Sequence, residues 1–368
     1  MMIDRRLIQY FDWWLLLLVL LISGLGIGLI YSSVNTGDPA SSSRLYLKQL
    51  SWLGIGVLVM IASFLFSYKK LYRWAPFVYF LCTALLIAVL LVGKTVGGAT
   101  RWLDLGFFAL QPSEPAKIGI ILILAYYFSK RVKPWGMDFR DLLLPMLLTL
   151  IPFGFILLQP DLGTALLVML IAGTMAVFSK IERKTFFGLL SAVAILVPLG
   201  WFFIEDYQRK RILMLFAPES DPMGAGYHIL QSKIAVGSGM LHGKGYMEGT
   251  QNILSFLPEQ HTDFIFSVLA EEWGFVGSAG MLILFMLLVA FGLNIAYGCR
   301  DDFGTILAVG ITAMIFWQTV INVGMVIGLM PVVGMPLPLV SYGGSSVITT
   351  LLGIGILLNI SMRRFVKD

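Results

Sequence analysis

About ten stretches of this chain are apolar over the ~20 residues that a helix needs to cross a hydrocarbon layer. They fall at roughly 13–32, 48–67, 74–93, 115–130, 142–159, 162–179, 185–204, 276–298, 304–330 and 346–362. Lipid offers no partners to backbone amides, so such stretches must be helices or the strands of a closed barrel. A barrel would show short alternating segments, and these runs do not alternate. Composition agrees: 58% of residues are hydrophobic and 13% charged, about half the ~25% charge usual in soluble domains. The expected fold is an all-α polytopic membrane protein with about ten transmembrane helices, forming one integral domain over 1–368. The first run opens with Trp13 and Trp14, suited to an interface, and lacks a small-residue cleavage site, so it reads as a span rather than a cleaved leader.

Orientation follows from Lys and Arg. With the N-terminus inside, most of the 26 basic residues fall on inner segments, among them Arg5, Arg6, Lys69, Lys70, Lys130, Arg131, Lys180, Arg363, Arg364 and Lys367. An even number of spans returns the C-terminus to the cytoplasm. The net charge of +5 is then mostly a topology signal, and no nucleic-acid partner is implied. Cys82 lies within a span and Cys299 at an inner edge, so no disulfide is expected. The histidines lie in one loop without metal-ligand spacing. Inner loops are short and no phosphate-binding Gly-Lys loop of the ATPase type is present, which argues against an ATP-driven pump.

Two outer segments are long, 94–114 and 205–262, the second lying between spans seven and eight. The first carries Gly97, Gly98, Arg101, Trp102 and an apolar patch, Phe107 to Leu110, that suits an interfacial element. It ends in QPSEPAK, where Ser113 is placed to cap a helix and Glu114 and Lys117 share a face. That pair is either a capping acid with an i,i+3 ion pair or a polar pair facing a cavity. Asp161 sits at a tight outer turn, where a helix N-terminal acid is the ordinary explanation. The second segment holds Arg209 and Arg211 in a basic run that suits solvent or lipid headgroups, then Lys233 on an amphipathic stretch, 227–236, and Lys244 on a Gly-rich turn. Asp263 follows His261 and Thr262; Thr262 is placed to cap a helix beginning at Asp263, so the acid reads as a helix start or as a general base at the mouth of an outward cavity. Glu271 and Glu272 follow. Pro336 and Pro338 impose an extended backbone on 335–346, and Ser341 lies in this stretch, either a rigid turn or a wall of a ligand cavity.

Several motifs, in order, carry a family resemblance: RWLDLG at 101–106, QPSEPAK at 111–117, QPDLGTA at 159–165, YHILQSKIAVGSG at 227–239, FLPEQHTDFIFSVLAEE at 256–272 and PLPLVSYGGSS at 336–346. With them the chain resembles, over its whole length, the SEDS family (shape, elongation, division and sporulation) of membrane peptidoglycan glycosyltransferases, and its elongation branch more than its division branch. The resemblance implies polymerisation of lipid II on the outer face of the bacterial cytoplasmic (inner) membrane. It assigns the essential aspartate to Asp263, the ion pair to Glu114 and Lys117, and a polar cavity position to Asp161. It also implies a class B penicillin-binding protein as transpeptidase partner, beside other elongation-complex membrane proteins and the bilayer.

The chemistry matches these residue types. Glycosyl transfer needs a base on the acceptor hydroxyl and positive charge for the departing pyrophosphate. Inversion by single displacement needs no covalent nucleophile. Asp263 supplies a base. Arg101, Lys117, Arg209, Arg211, Lys233 and Lys244 are the available cations, and His261 and Ser341 are further candidates for substrate contact. A divalent cation, Mg or Mn, would assist the leaving group, with no dedicated metal motif to hold it. Two other readings remain open at this level. A lipid flippase or transporter should carry ionisable groups at mid-span and paired broken helices, which the spans lack. A scaffold for a penicillin-binding protein is compatible with either.

Overall fold

The computed structural model describes residues 10–34, 39–96, 99–104, 106, 109–131, 133, 135–202, 206–218, 224–254, 256–257 and 259–364, with the side chains of 39–44, 96, 99, 197, 206, 207 and 225 left aside. Of the sequence expectations, those on Arg5, Arg6, Gly97, Gly98, Phe107, Phe108 and Lys367 lie outside the described residues.

The helices are α1 (Trp13–Val34), α2 (Pro39–Leu65), α3 (Tyr68–Val92), α4 (Ser113–Ser129), α5 (Phe139–Leu158), α6 (Leu162–Phe178), α7 (Arg183–Gly200), α8 (Asp206–Phe216), α9 (Ala225–Ser238), α10 (Thr250–Ile253), α11 (Ile265–Gly298), α12 (Asp302–Val326) and α13 (Gly344–Arg363). Each predicted span coincides with one of them. Eight helices among the described residues are long and apolar enough to cross a membrane; α4 and α6, with 17 residues each, fall just short.

Burial separates core from rim. α12 and α13 are 78% and 83% buried over their candidate spans, whereas α7 has none of its span buried. α12 packs on α4, α6, α11 and α13, and α13 lies mainly along α2. The core is apolar and close-packed around Ile121, Leu124, Leu307, Ile311, Met314 and Leu351. A polar line, Gln318, Thr319 and Asn322, is buried on α12. Polar side chains inside a bundle persist where they bond across helices. Cys82 and Cys299 are both free thiols.

The segment 94–114 holds strands that the sequence did not reveal. It forms a small antiparallel sheet of β1 (Lys94–Val96), β2 (Ala99–Asp104) and β3 (Ala109–Leu110), in the order β1-β2-β3. Strands this short give little periodic signal. Lys94 and Asp104 close the sheet's outer edge at 2.5 Å.

α11 begins well before its predicted span because two helical segments join end to end at Gly274, which holds φ +66. The first segment is buried and carries Glu271 and Glu272, each 1% exposed. The Gly-rich loop 239–250 packs against this joint: Phe275 N and Val276 N donate to the carbonyls of Met240 and Leu241, and Lys244 N and Gly245 N donate to those of Glu271 and Glu272. A Cβ on Gly274 would stand 2.3 Å from Gly243 N and 2.7 Å from His242 N. Gly274→Ala therefore combines a positive-φ strain of about 1–3 kcal/mol with a backbone clash, and a clear fall in the thermal midpoint of the detergent-solubilised protein is expected. Gly280→Ala, with nothing within 4 Å of the added methyl, should leave that midpoint near wild type.

Candidate functional site

One end of the bundle gathers the starts of α4, α6, α11 and α13, together with the sheet. This is the side that the Lys/Arg pattern assigns to the outside. Arg101, on β2, donates from Nε to the Gln159 carbonyl at 3.2 Å and from its terminal nitrogen to the Pro160 carbonyl. It thereby ties the sheet to the α5–α6 turn. Gln111 N donates to Ser345 Oγ at 3.4 Å, tying the entry of α4 to that of α13. Gln49 of α2 donates to the Ser341 carbonyl at 3.1 Å and accepts from Gly343 N at 3.2 Å.

Asp263 lies inside this frame. It precedes α11 instead of opening it. The helix starts at Ile265, and Thr262 Oγ1 bonds back to Glu259, to its carbonyl and to its carboxylate, both at 3.1 Å. Capping by Thr262, expected from sequence, does not occur, because the turn on Glu259 (φ +53) takes that hydroxyl first. The backbone of residues 261–263 is then held carbonyl by carbonyl. Tyr342 N donates to His261 O at 2.9 Å, Ser341 Oγ to Thr262 O at 2.6 Å and Asn322 Nδ2 to Asp263 O at 2.9 Å.

The Asp263 side chain is treated differently from its backbone. No hydrogen bond or ion pair engages its carboxylate among the described residues. It keeps a partly exposed surface while protein surrounds it. Burial raises the Asp263 carboxyl to about 6; Glu259 and Asp161 add to the rise, and Arg101 and Arg211 oppose it. A carboxyl that ionises close to neutrality, with two guanidinium groups in its field, has the properties of a general base beside an anion-stabilising patch.

The other predicted residues divide by what already occupies them. Arg101 and Arg211 act on Asp263 directly. Asp161 does so too, but both its oxygens serve α6: Oδ1 accepts from Thr164 N at 3.2 Å and Oδ2 from Thr164 Oγ1 at 2.9 Å. His261 stacks edge-on against Tyr342 at 5.7 Å, and burial lowers its pKa, so the ring stands neutral at pH 7 and adds no positive charge. Ser341 is 2% exposed and its hydroxyl is committed between Thr262 O and Leu337 N, so it braces the backbone rather than meeting a ligand.

Glu114 and Lys117 are sealed inside α4, 3% and 1% exposed, with both carboxylate oxygens 2.8 Å from the ammonium. Ser113 is the first residue of α4, not its cap, which is Pro112. Arg209 spends its guanidinium on the carbonyls of Trp201 and Phe202, both at 3.1 Å, closing the end of α7. Lys233 lies over Gly328 past the end of α12, and its neighbour Ser232 donates to Val326 O at 2.7 Å. Lys244 sits two turns along α11 from Asp263, with Nζ 2.6 Å from Glu271 Oε1 and 2.7 Å from Thr250 Oγ1. The expectation of available cations is corrected at 209 and 244, which hold a helix end and a buried acid; Lys233 is exposed.

Among the described residues no group of three or more His, Cys, Asp or Glu side chains is arranged to hold a metal. Two further carboxylates act on Asp263, and both are hydrogen-bonded: Glu259 by the Thr262 hydroxyl and Asp161 by Thr164. Sequence reasoning missed Asn322 and Gly334. Asn322 left a signal, a carboxamide in an apolar run, which inside a membrane bundle calls for a partner. Gly334 left none: its φ of +68 and the 3.3 Å between its missing Cβ and Asp263 Oδ2 arise only in the fold.

Removing the Lys244 ammonium would leave Glu271 buried and uncompensated, at a cost of about 3 kcal/mol. Lys244→Met is expected to lower the thermal midpoint, and Lys244→Met with Glu271→Gln to recover most of it. A cation that serves a substrate would instead raise KM and leave stability alone.

The chain has clear relatives. The family model FtsW/RodA/SpoVE, described as cell cycle proteins, matches residues 12–365. The peptidoglycan glycosyltransferase MrdB of Escherichia coli K12 is 44% identical over 318 residues, 86% of this chain and 85% of that protein. The peptidoglycan glycosyltransferase RodA of Treponema pallidum is 33% identical, covering 98% of this chain and 99% of that one. A solved chain from work on the structural coordination of polymerization and crosslinking by a peptidoglycan synthase complex superposes with a TM-score of 0.81 at 36% identity, covering 96% of this chain and 98% of that one. With a family match over nearly its entire length and a relative at 44% identity, this chain belongs to the FtsW/RodA/SpoVE family of cell cycle proteins.

Proposed function

We propose that this chain is a peptidoglycan glycosyltransferase of the elongation branch, polymerising lipid II on the outer face of the bacterial cytoplasmic membrane with Asp263 as general base. The observation that carries the reading is the unpartnered Asp263 carboxylate, raised to about 6, in the field of Arg101 and Arg211. In the reaction the acceptor sugar hydroxyl loses its proton to Asp263. Its oxygen bonds to the anomeric carbon of the donor from the face opposite the leaving group, inverting that centre. The bond from the anomeric carbon to the pyrophosphate breaks, and polyprenyl pyrophosphate departs with its negative charge facing Arg101 and Arg211. Asp263 then returns its proton to solvent. No step is routed through a metal ion. Both substrates are lipid-anchored, so the bilayer restricts their approach and lowers the entropic cost of bringing them together.

A class B penicillin-binding protein is the proposed partner. The reading is supported by the likeness to a chain of a peptidoglycan synthase complex. An apolar groove between α11 and α12, lined by Leu282, Phe285, Met286, Phe316, Val320 and Val323, offers a single membrane helix a complementary face.

The test is polymerisation of lipid II by the purified protein, with and without such a partner, across pH. The base works when deprotonated, and its deprotonated fraction falls as pH drops through about 6. The wild-type rate should therefore be flat above about pH 7 and fall about tenfold per unit below the Asp263 pKa. Asp263→Asn should lose about 10²–10⁴ in rate and the acid limb with it. Undiminished polymer from Asp263→Asn would remove the assignment.

A further inference from the structure

We propose that Asn322 is a positioning residue for the Asp263 base, holding that residue and the segment over its carboxylate with one carboxamide. The inference rests on the reading of Asp263 given above and extends it to a residue that touches no reacting atom.

Asn322 is fully buried in α12. Its Nδ2 carries two hydrogens, and both are used on carbonyls from distant parts of the chain: Asp263 O at 2.9 Å and Met335 O at 2.6 Å. The amide orientation is thereby fixed, since a flipped group would turn its oxygen toward two carbonyl oxygens. One side chain joins three things: the core helix α12, the turn before α11, and the segment leading into α13.

The second acceptor explains why this matters to the carboxylate. Met335 directly follows Gly334, where φ is +68 and an added Cβ would stand 3.3 Å from Asp263 Oδ2. The amide that fixes the Asp263 backbone also fixes the peptide lying against the Asp263 side chain. The carboxylate has no partner of its own among the described residues. Its position is therefore set through its backbone and through that neighbouring peptide, and Asn322 holds both. The clamps on Thr262 and His261, from Ser341 and Tyr342, fix the preceding turn but do not reach this peptide. A misplacement of about 1 Å at a catalytic group costs about 10²-fold in rate, so loss of the amide should register in turnover more than in substrate binding.

The experiment compares wild type, Asn322→Ala, Asn322→Ser and Asp263→Asn in lipid II polymerisation, with monodispersity and thermal midpoint measured on the same preparations. For the folded fraction of Asn322→Ala, kcat should fall about 10–100-fold with KM for lipid II within about twofold. The acid limb should also move, because the carboxylate changes its distance from the charged groups that face it, Glu259, Arg101, Asp161 and Arg211. A strut with a merely structural role would lower the amount of folded protein and leave kcat per folded molecule and the acid limb alone; that result overturns the proposal. Should Asn322→Ala fail to fold, Asn322→Ser, which reaches at most one of the two carbonyls, decides. Reduced kcat with a displaced acid limb supports the proposal, and wild-type values of both overturn it. If Asp263→Asn polymerises normally, the base reading fails and takes this inference with it. If Asp263→Asn is inactive while both Asn322 variants turn over as wild type, this inference alone fails.

Discussion

The structure around the site depends on three hydrogen bonds to three consecutive carbonyls. His261, Thr262 and Asp263 each accept one donor, from Tyr342, Ser341 and Asn322. These donors come from α12 and from the segment before α13, both remote in sequence. A buried carbonyl left unpaired would cost about 1–3 kcal/mol, so the turn has little freedom to rearrange. Its one unpartnered charged group is the carboxylate of Asp263. Rigid backbone and uncommitted side chain are what pre-organised catalysis requires: the group is placed in advance, and its interaction is kept for the reaction.

Several charged groups elsewhere in the bundle are neutralised in place, while buried Glu272 accepts from the Ser32 hydroxyl without a cation among the described residues. Lys117 meets Glu114 within α4, and Lys244 meets Glu271 across the α11 joint. Arg101 and Arg209 spend donors on carbonyls at the ends of α5 and α7. In a low-dielectric interior such pairing is the cheapest arrangement for a charged side chain. Asp263 differs from these paired groups, because its charge is opposed only at a distance by Arg101 and Arg211. The same contrast separates the site from the sealed pair on α4, which organises the core the site rests on.

Much of the fold was legible because the bilayer reduces the choices. Apolar runs such as 13–32, 304–330 and 346–362 can only be helices, and each is one. Long-range geometry was not legible. The sheet at 94–110 was hidden by strands too short to show a period. A helix start near Asp263 was legible, but its end-to-end joining with the following span at Gly274, whose positive φ is set by the loop packed against it, was not. At the site, sequence pattern proposed a capped helix start at Asp263, and the motifs moved that residue to the base. Pattern could not show that Lys244 and Ser341 are spent on other contacts, since Glu271 and Thr262 reach them only through the fold. Asn322 was visible as a polar residue in an apolar run, but its two acceptors lie 59 and 13 residues away.

The site turns on a carboxyl that protein surrounds without pairing it. Its most direct test is the ionisation of Asp263 itself, read as the pH-dependent carboxyl stretch in the infrared difference between wild type and Asp263→Asn in lipid. A carboxyl signal that titrates near pH 6 and is absent from Asp263→Asn is the predicted result. Titration near the ordinary aspartate value of about 3.9 would contradict it, because it would mean that Asp263 is solvated or paired and is not held ready as a base.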